Sequence, residues 1–268
     1  SRIINWVHTS PTDPSVFLKS YRNRAEFISC MKHFDETVFV ADSARNRFYE
    51  IYPELINTKN SVIYNPINDT EILRLSNETP DIVYDSSEFN IVAVGRLSKV
   101  KGFERLINIC SRLRAKKRIH LYILGGGDDE KQLMKAIEQN SAGSFISLLG
   151  FRKNPYPLIA QSDMYVCSSY REGYSTSVIE ALILGVPVVT TMCSGMEEIL
   201  GVGNQYGLIT ENNEEALEKG IEQMILNSDV YKQYKAASKN RGKQFSLASG
   251  VESVRYLLHQ SVEEKSRE

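Results

Sequence analysis

Two glutamates could do chemistry together. Glu172 and Glu180 have seven residues between them, within residues 170–191, YREGYSTSVIEALILGVPVVTT. Glu172 follows the apolar, β-rich run DMYVCSS and is joined to Gly173, so it opens a loop. Thr176 and Ser177 offer N-caps for a helix that Gly185 stops. Glu180 sits in the middle of that helix, among Val178, Ile179, Ala181, Leu182 and Ile183. A carboxylate in such a setting costs stability unless something polar meets it. The helix N-terminus between the two glutamates is where phosphates and other anions bind. The plainer alternative is a buried Glu180 satisfied by a backbone group and a Glu172 that is only a loop charge.

A second constellation lies in residues 94–107, VGRLSKVKGFERLI. Here a strand delivers Gly95 and Arg96 at its carboxyl edge, where ligands of open α/β sheets collect. Lys101 and Gly102 stand at the next helix entrance. Arg holds phosphate oxygens bidentately, Lys adds a mobile point charge, and Gly95 lets the backbone approach a ligand. A solvated basic loop is the alternative. Gly125 and Gly126 begin GGGD after a later strand, without the G-x-G-x-x-G spacing. His8 ends the strand INWVH, where a backbone carbonyl could equally satisfy it. The other histidines, His33, His120 and His259, join no constellation, and no Ser-His-Asp set, HExxH or Asp-x-Asp motif is present. The two glutamates also lack the layout of a glycoside hydrolase, which sets carboxyls on opposite faces of one sugar bond.

These residues must be carried by alternating strands and helices. Strands are expected at 90–94, 119–124, 145–149, 163–169, from Val186, and at 206–209; helices at 101–117, 129–139, 156–161, 178–184 and 196–200. Apolar strands in repeated βα units predict a doubly wound parallel sheet of about six strands, an α/β Rossmann-like domain with helices on both faces. Residues 1–65 read as a smaller, incomplete Rossmann-like βαβαβ unit, with strands INWVH, TVFVAD and SVIYN and helices near 16–34 and 44–52. Residues 66–88 read as a linker with a short helix at 69–75. Residues 214–268 read as helical and increasingly charged, with EEKSRE fraying at the end.

The chain has 268 residues, 42% hydrophobic and 24% charged, as in ordinary globular domains. A net charge of -1 argues against a general nucleic-acid binder. Cys30, Cys110, Cys167 and Cys193 form no CxxC or metal spacing and suit a reducing compartment. No run of 18 apolar residues occurs. The first residues read at once as a strand, which suggests a chain cut from something longer.

The acidic unit resembles that of retaining, nucleotide-sugar-dependent glycosyltransferases of the GT-B type, the large family four. The resemblance extends over the whole layout: HFDETVFVADSARNRF resembles the last full unit of that family's N-terminal domain, and VIYNPIN the crossing into the second domain. It implies that Glu172 faces the donor sugar, that Glu180 hydrogen-bonds the ribose hydroxyls, and that Gly173, Tyr174 and Ser175 line the donor. It implies that Arg96 and Lys101, beside Gly95, bind the diphosphate. Lys101 is favoured over Lys99 by its Lys-Gly pair. Gly125 and Gly126 come close to the donor, Phe151 or Arg152 lies near the base, and His8 points into the cleft near the transferred sugar. It implies a partial acceptor-side domain at 1–65, a linker at 66–88, a donor-binding domain at 89–245, and a helix at 246–268 packing back toward the N-terminal domain. The family's glycine-rich acceptor loop has no counterpart here.

The implied activity is transfer of a hexose, with retention, from a UDP-, GDP- or ADP-sugar to a glycan or lipid-linked acceptor in bacterial surface polysaccharide or glycan assembly. No metal cofactor and no nucleic-acid partner is expected. The implied setting is cytoplasmic, with peripheral contact at the inner face of the membrane or a partner subunit as options. Two rivals stand beside it. One is a non-catalytic sugar-nucleotide-binding or partner-stabilising module. The other is a sugar-nucleotide epimerase, which would need further acid/base residues.

Overall fold

The strand-forming runs assemble into two parallel sheets, one of three strands and one of six. The structure is a computed structural model that describes residues 2–11 and 14–265. The last three residues of the expected frayed end lie outside the described residues. The smaller unit contains β1 (Ile4–Val7), α1 (Ser15–Leu18), α2 (Arg24–Lys32), β2 (Glu36–Phe39), α3 (Asp42–Ile51) and β3 (Asn60–Val62). Its strands run in the order β1-β2-β3. The single helix expected at 16–34 is two helices. Asn23 adopts an extended backbone and its side chain accepts from the Glu26 amide at 2.9 Å, so α2 starts afresh there. The core of this unit is aromatic. Phe27 lies 4.7 Å from Tyr52, and Phe39 lies 5.2 Å from Phe48, between ring centroids.

The chain then crosses through α4 (Asp69–Ser76), capped by Asn68, whose side chain accepts from the Glu71 amide. The larger unit follows with β4 (Phe89–Val94), α5 (Phe103–Leu113), β5 (Ile119–Leu124), α6 (Glu130–Gln139), β6 (Ile146–Gly150) and α7 (Tyr156–Ala160). It continues with β7 (Met164–Cys167), α8 (Thr176–Ile183), β8 (Val188–Thr191), α9 (Met196–Leu200) and β9 (Leu208–Thr210). The order is β6-β5-β4-β7-β8-β9, all parallel. Successive strand residues serve opposite faces, as a period of two requires. Ile91, Ala93, Met164 and Val166 join one buried cluster; Val92, Tyr165 and Cys167 join the other. The helix expected at 101–117 is shorter. Lys99–Lys101 form a single 3-10 turn, Gly102 follows with φ 63, and α5 begins at Phe103.

The C-terminal helices are α10 (Glu214–Leu226), α11 (Ser228–Gly242) and α12 (Leu247–Lys265). α11 packs along α8. α12 returns to the smaller unit. Its first amide, on Leu247, donates to Asp69 at 3.1 Å, and Leu257 is buried against Val38 and Ile63. Among the described residues, no helix is long and apolar enough to cross a membrane.

Candidate functional site

The first strand of the larger sheet, β4, lies between β5 and β7, so successive crossovers leave it in opposite directions. A crevice opens outside the carboxyl ends of the strands at such a switch point. Four loops carrying the sequence candidates meet this edge. Gly95 and Arg96 follow β4, Gly125 and Gly126 follow β5, Phe151 and Arg152 follow β6, and Glu172 follows β7. The first three loops are laced together by backbone bonds. Gly95 N–H donates to the Leu124 carbonyl (3.0 Å), Gly125 N–H to that of Gly150 (2.9 Å), and Leu97 N–H to that of Gly126 (3.0 Å). Gly125 has φ 149 and lies on the Gly95 carbonyl, with no room there for a Cβ.

The centre of the site is an ion pair. Lys101 Nζ lies 2.7 Å from Glu172 Oε1, and the two side chains are only 25% and 11% exposed. Ser169 Oγ donates to the same oxygen at 2.5 Å, and Cys167 Sγ lies 3.7 Å from it. The acidic loop is pinned from beneath. The buried Arg105 guanidinium donates to the Ser168 carbonyl through Nε (2.8 Å) and Nη2 (2.5 Å), and lies over the Tyr170 ring at 3.9 Å. Asn212 donates to the carbonyls of Tyr170 (3.0 Å) and Met192 (3.1 Å). Among the described residues Arg105 makes no ion pair, and burial lowers its pKa.

Glu180 stands midway along α8, half-buried. Tyr156 Oη donates to its Oε1 at 3.3 Å. Burial drives its carboxyl from the ordinary value up to about 7, with the tyrosine bond opposing. The polar partner that the sequence argument asked for is thus a side chain from α7, not a backbone group. The expected N-caps, Thr176 and Ser177, do not cap. Ser175 occupies the cap position of α8 and makes no side-chain cap bond, its hydroxyl lying 3.3 Å from that of Ser177.

The remaining candidates divide. Arg96 is exposed and makes no ion pair among the described residues. Phe151 is 76% exposed at the rim, and its Cβ lies beside Gly126. Arg152 instead holds the linker, through Asp81 at 2.8 Å, and binds the Leu149 carbonyl. Tyr174 is buried against Tyr64 of the smaller unit, ring centroids 4.9 Å apart. His8 is exposed just beyond β1, its ring stacked on Trp6 at 6.3 Å. Its carbonyl lies against Gly173, where a Cβ would collide with it.

Other residues of this region were invisible to motif reading. Glu198, in the first turn of α9, accepts from the backbone amides of Asp42 and Ser43 at 2.9 Å each. It thereby caps α3, a helix of the other unit. Ser43 Oγ donates to the same carboxylate at 2.7 Å and accepts from the Gly195 amide at 2.7 Å. A first-turn glutamate is ordinary in sequence and carries no signal of a partner 155 residues away. Arg105 and Tyr156 were legible only as a charge in an apolar helix and an aromatic between two prolines.

Residues 78–241 match the model of the family described as glycosyl transferases group 1. The chain belongs to that family. It is 34% identical over 171 residues to the N-acetylgalactosamine-N,N'-diacetylbacillosaminyl-diphospho-undecaprenol 4-alpha-N-acetylgalactosaminyltransferase of Campylobacter jejuni, covering 63% of this chain and 46% of that protein. It is 25% identical over 140 residues to the lipopolysaccharide core biosynthesis glycosyltransferase LpsE of Rhizobium meliloti, covering 52% of this chain and 40% of that one. The chain spans about half the length of the curated relatives it matches. Among solved structures, Anabaena HepE in complex with UDP superposes with a TM-score of 0.79 at 18% identity, covering 97% of this chain and 72% of that one. The pneumococcal O-GlcNAc transferase GtfA, in complex with UDP and GlcNAc, gives 0.77 at 15%, covering 97% and 53%. At these identities the likeness shows the fold alone, which is the α/β GT-B fold. In this glycosyltransferase family member, the matched span contains the Lys101–Glu172 pair, Glu180 and Glu198, while His8 and Ser43 lie before it.

Proposed function

We propose that this chain binds a nucleoside diphosphate sugar and forms the donor side of a retaining glycosyltransferase. The reaction moves a hexose to a glycan or lipid-linked acceptor in surface polysaccharide or glycan assembly. The observation that carries the reading is the Lys101–Glu172 pair at the carboxyl edge of the sheet, flanking the same β7–α8 unit as Glu180. As the bond between sugar and diphosphate breaks, negative charge builds on the leaving group. Cations placed there stabilise the transition state more than the ground state. Lys101 leaves Glu172 for the diphosphate when donor binds, joined by Arg96, which is exposed beside it in the β4 loop. Glu172 then accepts from the sugar hydroxyls and supports the positive charge that develops at the anomeric carbon. Retention follows same-face attack, with the leaving phosphate taking the acceptor proton and no covalent sugar on Glu172. The open α8 N-terminus and the glycine loops at Gly95, Gly125 and Gly126 give the donor its backbone contacts. The relatives named for lipopolysaccharide core synthesis and for a diphospho-undecaprenol acceptor support the proposed acceptor class and pathway.

The test is a thermal-shift series with UDP, GDP, ADP and their sugars, with and without EDTA. Stabilisation by one nucleotide, unchanged by EDTA, is expected and names the donor. No stabilisation by any of them would sink the reading. Binding with no transfer to any acceptor, even by a longer polypeptide of the family's full length, would favour a non-catalytic binding module.

A further inference from the structure

Glu180 meets one hydrogen-bonding side chain among the described residues, and that partner is unusually well fixed. Tyr156 opens α7 between Pro155 and Pro157. Its backbone N–H donates to the Asn154 side chain at 3.2 Å. The Asn154 amide in turn donates to the Leu75 carbonyl (3.0 Å) and to Glu78 (2.8 Å) at the end of α4. The ring is half-buried against the cluster containing Val178 and Ile179. The hydroxyl therefore reaches Glu180 from a turn anchored on two sides. Other groups around Glu180 are few. From β7 the buried Tyr165 feels its charge, and from α4 Glu71 acts on Tyr156. α11 and β8 also pack on α8, and neither places a charge on Glu180.

We propose that Tyr156 is a positioning residue for donor binding: its hydroxyl holds Glu180 as an ionised acceptor for the ribose hydroxyls, and so sets the pH range over which the site takes a ribonucleoside diphosphate. This rests on the donor-site reading above. A ribose diol donates two hydrogen bonds. An ionised carboxylate accepts both while Oε1 also accepts from tyrosine, since each oxygen has two lone pairs. A protonated carboxyl has lost acceptor capacity and presents a donor of its own. Burial brings Glu180 to about 7, so small changes in its surroundings decide its charge at neutral pH. The Tyr156 bond favours the ionised form, because a phenol O–H donates more strongly to a carboxylate than to a neutral carboxyl.

The experiment compares wild type with Tyr156→Phe, which keeps the ring and removes the hydroxyl. The Glu180 carboxyl is titrated by carbon-detected NMR in the nucleotide-free chain, assigned with Glu180→Gln. The midpoint is expected to rise by about one pH unit in Tyr156→Phe, a tenfold change in ionisation constant, or ~1.4 kcal/mol. Dissociation constants for UDP, GDP and ADP are then measured at pH 7 and pH 9. The nucleotide that binds wild type should bind Tyr156→Phe about fivefold more weakly at pH 7, where fewer Glu180 carboxyls are ionised, and equally well at pH 9. An unchanged midpoint overturns the proposal. So does an equal loss of affinity at both pH values, which a merely structural role would produce. If no nucleotide binds wild type at any pH while the midpoint still rises, the donor-site reading fails. The ribose role then falls with it, and only the Tyr156–Glu180 contact stands.

Discussion

Lys101 and Glu172 neutralise each other in this structure at 2.7 Å, with both side chains largely out of water. Each would be an uncompensated charge without the other, and a diphosphate can replace Glu172 as the partner of Lys101. A charge-assisted bond contributes ~1.5–3 kcal/mol. Lys101→Ala is therefore expected to weaken nucleoside diphosphate binding ~10-fold or more, read by calorimetry; an unchanged affinity would remove Lys101 from the diphosphate site. Glu180 supplies a second prediction. Its carboxyl rises from near 4.5 to about 7 on folding, so between these values the folded chain holds a proton that the unfolded chain releases. Stability therefore falls as pH rises through that window, and the full cost is present above pH 7. Glu180→Gln cannot ionise. It is expected to match wild type at pH 4 and to exceed its stability at pH 8 by ~3 kcal/mol, while losing nucleotide affinity. Equal denaturation midpoints at pH 8 would show that the carboxylate is satisfied in a way the Tyr156 bond does not describe.

At the scale of elements, the acidic loop is placed by contacts from both units. Gly173 touches the His8 carbonyl, and the space a Cβ at Gly195 would need is closed by the Gly173 carbonyl at 2.7 Å. Gly173→Ala forces backbone against backbone, which no rotamer change relieves. Its cost is expected to be ~1–3 kcal/mol, visible in a lower melting temperature. The same substitution at Gly143, where a Cβ meets nothing within 4 Å, should leave the melt nearly unchanged. α3 offers the complementary case. Its N-terminal amides are satisfied by Glu198 from the other unit. Glu198→Ala should cost ~1–2 kcal/mol, as loss of a cap does, and the faster hydrogen exchange should appear at Asp42 and Ser43 rather than in α9. Protection lost only in α9 would mean that the inter-unit cap does not form.

At the scale of the molecule, the two sheets are unequally supported. The six-stranded sheet is covered on both faces by buried clusters, whereas the smaller sheet relies on one aromatic cluster and on Leu257 of α12. Backbone amides of β1 to β3 are expected to exchange through openings of lower free energy than those of β4, β5 and β7. Removal of α12 should lower their protection further while sparing the larger sheet. Uniform protection across both sheets would show that they open as one unit. This asymmetry bears on the site, because His8 and Tyr64 reach the acidic loop, and Ser43 reaches Ser194 in the turn before α9, only while the smaller unit stays docked.

Much of the larger unit was legible from local pattern. Apolar runs such as Met164–Cys167 become strands because burial on both faces demands continuous apolar sequence, and Gly185 ends α8 as expected, with φ 70. The Lys101-Gly102 pair and the two glutamates were also readable, since residue type and spacing fix which chemistry a loop can offer. Contacts between distant segments were not readable. That Lys101 pairs with Glu172, 71 residues away, that Tyr156 answers Glu180, and that Glu198 caps α3 are decided by how strands and helices meet across the sheet edge. Nothing in a single segment's periodicity encodes which side chain of another element it will face. Even within one segment, the break of the 16–34 helix at Asn23 depended on a side-chain cap winning over helix propagation, a balance of about 1 kcal/mol. The sequence by itself determined the element types and the chemical repertoire of the site. The tertiary structure decided which groups neutralise, cap and position one another, because those pairings depend on distances that only packing sets.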